Sequence, residues 1–593
     1  MIAGTQSRDR DPHEGADLGS GELIAAGSGA SRHERGPTVA LCEGEPAFID
    51  ADLARLAREQ GTAAAWLELH ARAGTRAPER VHGSFACAIV DRRERTAFLA
   101  VDRFGIDTLC YALVAGGLAF ASRADAVLPQ SRDIDAQALF DYLYFHVIPA
   151  PRTLRPGVLR LLPGHCAVFA DGRLELRRYW QPVFEERTAR SFESLREEFL
   201  SLAEAAVAQA TGPEPTGAFL SGGTDSSTVA GMLSRSATGP VRTYSIGFDE
   251  PGYDEMEYAR ITARHFGTDH HEHYVSPAEL VEHIGNVVAE MDQPFGNSSV
   301  LPAYSCARMA RADGVERLLA GDGGDELFGG NTRYAKQRVF EAYGLMPPAV
   351  RRFGVEGPFA AAPFLRTWPG LRKVASYVEQ ARVPMPDRMQ MYNLLQRVGV
   401  EAMLEPDFLA VVDLREPARQ QRTWYGAQGA DSLINRMLAF DWKYALADND
   451  LPKVTSAARA AGVVTAFPLL DQRLVNFSLG LPPAMKLKGL QLRWFFKEAL
   501  RGFLPAATLT KKKHGFGLPF GPWAVRPGPL RDFALDSLAA FARRGYVRPD
   551  FIRTLVERDL PAYPGYYGEL VWILMMLEQW LARSAPAPRS EPA

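Results

Sequence analysis

The chain has 593 residues, 47% of them hydrophobic and 23% charged, with a formal net charge of −3. That length is too great for one ordinary core and calls for two large domains or three smaller ones of globular composition. The near-neutral balance supplies no basic field, so nucleic acid is not an expected partner.

Residues 1–36 are rich in Gly, Ser, Ala and charge and read as a flexible N-terminal arm. They carry no apolar run of signal-peptide length, so no secretory signal is expected. Five cysteines (Cys42, Cys87, Cys110, Cys166 and Cys306) are odd in number and form no Cys-x-x-Cys pair. This argues against a disulfide framework or a thiolate zinc site and suits a reducing, cytoplasmic compartment.

Residues 37–185 read as an α+β domain dominated by antiparallel sheet. A helical stretch over 51–72, broken at Gly61, precedes strand-like Phe85–Val90, Thr96–Val101 and Leu118–Ser122. A hairpin is predicted from Cys166–Phe169 to Leu174–Leu176, turning at Asp171-Gly172. A polar helix over 191–210 then opens a region where apolar strands alternate with helices. The strands are Gly217–Leu220, Arg242–Gly247, His271–Val275 and Arg317–Ala320, and such alternation predicts a parallel sheet with right-handed crossovers. Residues 330–590 read mostly as helices. The apolar stretch Leu570–Leu581 is short and contains Glu578, so it reads as a buried helix; no membrane span is expected.

Two loops carry chemistry. Ser221-Gly222-Gly223-Thr224-Asp225-Ser226-Ser227 joins a strand to a helix. Adjacent glycines allow close approach of an anion, and the helix N-terminus adds amide donors and a favourable dipole. The Walker lysine is absent, so this is not a kinase-type phosphate loop. An isolated Ser-Gly-Gly is equally a plain turn, but Asp225 inside an anion cradle implies an intervening cation, Mg²⁺. The second loop, Leu318–Gly330, crowds Asp322, Asp325 and Glu326 among glycines. Such crowding needs a cation or a positive substrate group. A solvated turn fits Glu326 best and fits Asp322 and Asp325 poorly. Both loops are expected at the carboxyl edge of one sheet, where α/β folds bind ligands.

Together the two loops resemble those of the asparagine synthetase family of ATP pyrophosphatases. Thr243–Phe248, Asp292–Ser299, Phe467–Asp471 with Arg473-Leu474-Val475, and Lys513–Pro519 resemble its further motifs in the same order. The resemblance implies an Ntn-hydrolase-like layered domain (37–185) like a type-2 glutamine amidotransferase. An α/β adenine-nucleotide α-hydrolase-like domain with a helical C-terminal part (190–585) would follow it. Leu220, Ile246, Ala320 and Gly321 would then meet the nucleotide, and Ser221, Gly222, Gly223, Ser226 and Ser227 its phosphates. Asp225 and Asp325 would share Mg²⁺, Asp322 would help activate the substrate carboxylate or amine, and Lys513 would meet pyrophosphate or the oxyanion. The Lys511–Lys513 run also reads as a solvated basic stretch, and His270, His271 and His273 read as flanking a strand rather than binding metal. The implied reaction uses ATP to turn a small-molecule or peptide carboxylate, aspartate-like, into an acyl-adenylate with release of pyrophosphate and transfers the acyl group to ammonia or an amine. Oligomeric state stays open, a homodimer included.

The chain also departs from that family. Glutamine-hydrolysing members have cysteine directly after the initiator methionine, whereas Ile2 follows Met1 here. Thr38 replaces the acid in Arg35-Gly36-Pro37-Thr38, and Glu43-Gly44-Glu45 lacks the family's Asn. His82–Phe85, Asp102–Gly105 and Pro163-Gly164 survive, implying a retained scaffold with little glutaminase activity. Lys453-Val454-Thr455-Ser456 replaces the family's Lys-Val-Asp-Arg, which puts the acceptor side in doubt. The readings left open are a ligase fed by ammonia or another amine, a β-lactam-synthetase- or lasso-cyclase-like ring closure, an exopolysaccharide-associated amidotransferase, and a non-catalytic nucleotide-binding scaffold.

Overall fold

The computed structural model describes residues 30–584 except 116, 345, 357–368, 428 and 512–516, together with the short strand Ala16–Asp17. The arm expected over 1–36 is therefore only partly described, and Ser31–Arg35 within it is a strand.

The N-terminal half packs two antiparallel sheets face to face, with a helix pair on the outer face of the larger one. Its larger sheet is antiparallel and six-stranded. The order is Arg173–Arg178, His165–Ala170, Thr96–Val101, Phe85–Asp91, Thr38–Gly44, Ser31–Arg35. Side chains alternate across each strand, so the two faces carry different cores. Val39, Leu41, Ala86 and Leu99 face the second sheet, where they meet Tyr111 and Phe120. Ala40, Cys42, Ile89 and Phe98 face the helix pair Ala51–Gln60 and Thr62–Ala73, anchored by fully buried Trp66. The break between those helices falls at Gly61 as expected, and the Asp171-Gly172 turn joins the hairpin.

The second half is built on five parallel strands. Their spatial order is Asp269–Tyr274, Arg242–Gly247, Thr216–Phe219, Arg317–Leu319, Val464–Ala466. The sheet starts at its middle strand, grows to one side, then returns to the other. The crevice between Thr216–Phe219 and Arg317–Leu319 is thus the topological switch point, where an open α/β sheet leaves room for a ligand. The fifth strand, Val464–Ala466, was not expected: three residues bounded by helix carry no readable period.

The two halves also meet in a shared hydrophobic cluster. Leu139, Phe140 and Leu143, from the helix Ala136–Phe145, pack in the same cluster as Leu570–Leu577 of the C-terminal helix Pro564–Ser584. Trp180 stacks on Trp442 with ring centres 5.8 Å apart and planes 4° apart. Among the described residues no helix is long and apolar enough to cross a membrane.

Candidate active site

The Thr216–Phe219 strand is followed by Leu220, and the helix Thr224–Ser236 begins four residues after it. Gly222 makes the turn at φ +67°, with its backbone pressed on Tyr258 and Ala259: an added Cβ would lie 2.5 Å from the Ala259 amide nitrogen. The loop satisfies itself internally. The Ser221 amide donates to Ser226 Oγ at 3.2 Å, and Ser226 Oγ donates to the Gly223 carbonyl at 3.3 Å. The Gly324–Phe328 helix starts one strand over. Gly321 lets the two loops touch, because a Cβ there would sit 2.7 Å from the Ser226 amide.

Between the loops opens a cavity of about 1020 Å³. Of the residues expected to meet ATP, Leu220, Ser221, Gly223, Asp225, Ser226, Ile246 and Gly321 line it, as do Asp322 and Asp325. Gly222, Ser227 and Ala320 do not. Gly222 faces helix Met256–Phe266, Ser227 Oγ hydrogen-bonds Thr262 Oγ1 at 3.1 Å within the protein, and Ala320 is buried. Lys513 lies outside the described residues. Its neighbour Lys511 is no solvated cation: its ammonium sits 2.9 Å from Glu255 and 3.4 Å from the Ser221 carbonyl.

The acidic loop divides its charges. Asp322 faces the cavity, and Lys453 Nζ stands 3.7 Å from it and 2.7 Å from Asp450. Burial pushes the Asp322 carboxyl up to about 6; Asp450 and Asp225 add repulsion, and Lys453 opposes the rise. Burial pulls the Lys453 pKa down, but Asp450 and Asp322 overcome it and hold it above the usual lysine range. Glu326 corrects the expectation of a solvated turn. It is only 6% exposed, and burial raises its pKa well above the carboxylate range.

Sequence reasoning missed Arg493. It precedes the helix Trp494–Ala499 and reaches across the cavity floor. One guanidinium nitrogen lies 2.7 Å from Asp225 and 3.0 Å from Asp325, and a second bonds Asp225. No spacing rule links position 493 to positions 225 and 325; only tertiary structure does. The two carboxylates thus converge on the Arg493 guanidinium, and hard oxygens so paired are of the kind that suits Mg²⁺. Among the described residues no group of three or more His, Cys, Asp and Glu side chains forms a metal cage, and His270, His271 and His273 lie in the edge strand Asp269–Tyr274.

Comparison with known proteins gives two family matches, asparagine synthase over residues 198–582 and a glutamine amidotransferase domain over 54–180. The chain is 24% identical over 522 residues to glutamine-hydrolyzing asparagine synthetase 1 of Bacillus subtilis, covering 85% of this chain and 78% of that protein. It is 28% identical over 482 residues to a putative glutamine-hydrolyzing asparagine synthetase of Mycobacterium tuberculosis, covering 79% and 71%. A fungal protein named amidase chyE, from Penicillium rubens, is 24% identical over 455 residues, covering 70% and 66%.

Proposed function

The chain belongs to the asparagine synthase family, whose domain spans residues 198–582, and on that premise we propose that it is an ATP-dependent ligase making C–N bonds through an acyl-adenylate. One observation carries this reading: the phosphate-type loop and the acidic loop meet in one cavity at the switch point of the parallel sheet. Residues 190–585 form the ligase half, of adenine-nucleotide α-hydrolase type. Residues 37–185 form an Ntn-type, degenerate glutamine-amidotransferase half.

The reaction runs in two steps. A substrate carboxylate attacks the α-phosphorus of ATP; the bond to the bridging oxygen breaks and pyrophosphate leaves. An amine then attacks the acyl carbon, AMP departs with the C–O bonding electrons, and the new nitrogen gives up a proton. Carboxylate oxygen leaves badly and AMP leaves well, which is why activation comes first. Leu220, Ile246 and Gly321 contact the nucleoside side. Amides and hydroxyls of Ser221, Gly223 and Ser226, at the start of a helix, hold the polyphosphate. Asp225 and Asp325 would hold Mg²⁺, which would supply charge neutralisation at the polyphosphate. Asp322, ionised above about pH 6, faces the acyl centre and accepts the amine's proton. The Lys453 ammonium, kept charged beside Asp450, orients the substrate carboxylate. Lys513 acts on pyrophosphate by family resemblance.

Nitrogen comes from ammonia or an amine substrate rather than from glutamine. Cys42, in a strand interior, is 1% exposed, and burial pushes its thiol up to about 12, far from the thiolate a glutaminase uses. Incubation with ATP, a carboxylate and an amine is expected to release AMP and pyrophosphate in equal amounts. Release of ADP and phosphate instead would contradict the acyl-adenylate route.

A further inference from the structure

Arg493 is placed unlike an ordinary structural arginine. It is 5% exposed and sits between two carboxylates, so one positive charge faces two negative ones and the trio keeps a net −1. Its Nε is buried with no hydrogen-bond partner among the described residues, an unsatisfied donor that a settled buried ion network would not leave. Its backbone is left-handed, φ 57° and ψ 36°, a conformation that disfavours a residue with a side chain. It stands at the base of a small hairpin, Leu487–Lys488 with Gln491–Leu492, whose tip residue Leu490 is 60% exposed. Leu490, Gln491, Leu492 and Trp494 all line the same cavity.

We propose that Arg493 is an internal counter-ion that holds the Asp225–Asp325 pair in the nucleotide-free enzyme and is displaced when a metal–nucleotide complex enters. The proposal rests on the assignment of Asp225 and Asp325 as the metal-holding pair. The space around the three side chains is tight, and Arg493 also donates to Thr224 Oγ1 at 3.2 Å. A Cβ on Gly330 would fall 1.6 Å from Asp325 Oδ1 and 2.8 Å from Arg493 Cδ, and one on Gly324 would fall 2.0 Å from Asp225 Oδ1. A divalent ion brings twice the charge of the guanidinium to the same two carboxylates, while the nucleotide's phosphates offer the freed guanidinium a bidentate anion partner. The exchange therefore conserves pairing on both sides. It also makes metal binding conditional on nucleotide, because bare metal must evict Arg493 with no anion to receive it.

Mn²⁺ binding followed by electron paramagnetic resonance tests this on the full chain, with and without ATP. The wild type is expected to bind Mn²⁺ tightly only with ATP present. Arg493→Gln is expected to bind it without nucleotide at least about tenfold more tightly than the wild type. If Arg493→Gln does not fold, Arg493→Lys serves: a point charge spans two carboxylates less well than a planar fork, so nucleotide-free binding tightens about threefold. Asp225→Asn is expected to lose Mn²⁺ binding in either background. Nucleotide-free binding unchanged in the folded Arg493 variants, beside a wild type that binds Mn²⁺ with ATP, would overturn the counter-ion role alone. A wild type that gains no Mn²⁺ site even with ATP would overturn the metal assignment on which it rests.

Discussion

Single side chains set the chemistry of the cavity. Asp322 carries the clearest pH consequence, since burial and the neighbouring Asp450 and Asp225 raise its carboxyl to about 6. The working form is the carboxylate, so kcat/KM is expected to fall about tenfold per pH unit below pH 6 and to level off above it. A pH series of product formation checks this, and an acid limb near pH 4 would count against the role. Asp322→Asn is expected to lose roughly 10²–10⁴-fold in rate while still binding ATP. Asp107 offers an independent test of the electrostatics in the other half. Its Oδ2 is buried without a partner among the described residues, and its carboxyl is pushed up to about 7, first by burial and then by Asp102 and Glu43. The folded protein therefore binds a proton there more tightly than the unfolded chain. This group adds nothing adverse below about pH 4, and its cost grows as pH rises to about 7. Asp107→Asn is expected to raise neutral-pH stability by roughly 2–4 kcal/mol and to leave it unchanged near pH 4, measured by denaturant unfolding at both.

Loops and strands decide which residues meet. Gly330→Ala would press a methyl group on Asp325, so it is expected to weaken Mg-dependent ATP binding at least about tenfold, seen by calorimetry, while the melting temperature shifts by only a few degrees. Much at this scale was legible in sequence because the signals are contiguous. Ser221–Ser227 carries its glycines, serines and acid within one turn, and the strands Thr216–Phe219, Arg242–Gly247 and Arg317–Leu319 show as short, mostly buried stretches before glycine or polar loops. The remainder was illegible for physical reasons. Val464–Ala466 is too short to show a period. Glu326 looks like any loop acid until the Gly324–Phe328 helix buries it beneath Trp442, whose indole donates to the Glu326 carbonyl at 2.8 Å. Arg493 reaches Asp225 across 268 positions of chain, a distance no local pattern encodes.

Across the whole molecule, the N-terminal half packs against the half that carries the cavity. Arg317, the first residue of the strand leading to Gly321, has a side chain 6% exposed and reaches across to Glu45, with Glu214 on its other edge. A separate contact, the Trp180–Trp442 stack, reaches the acidic loop through the Trp442 indole, which donates to the Glu326 carbonyl. Glu45→Ala is expected to cost about 1–3 kcal/mol by leaving a buried guanidinium short of a partner, a loss visible as a lowered melting temperature. Glutamine is expected to give negligible glutamate with the purified protein, whereas ammonia or an amine supports product. The central claim is that the cavity between the two loops activates a carboxylate by adenylation. Pyrophosphate exchange into ATP, screened over aspartate and other carboxylates, tests it most directly. The account predicts exchange that requires one carboxylate and Mg²⁺ and disappears in Asp225→Asn. No exchange with any carboxylate, in protein that still binds ATP, would contradict it.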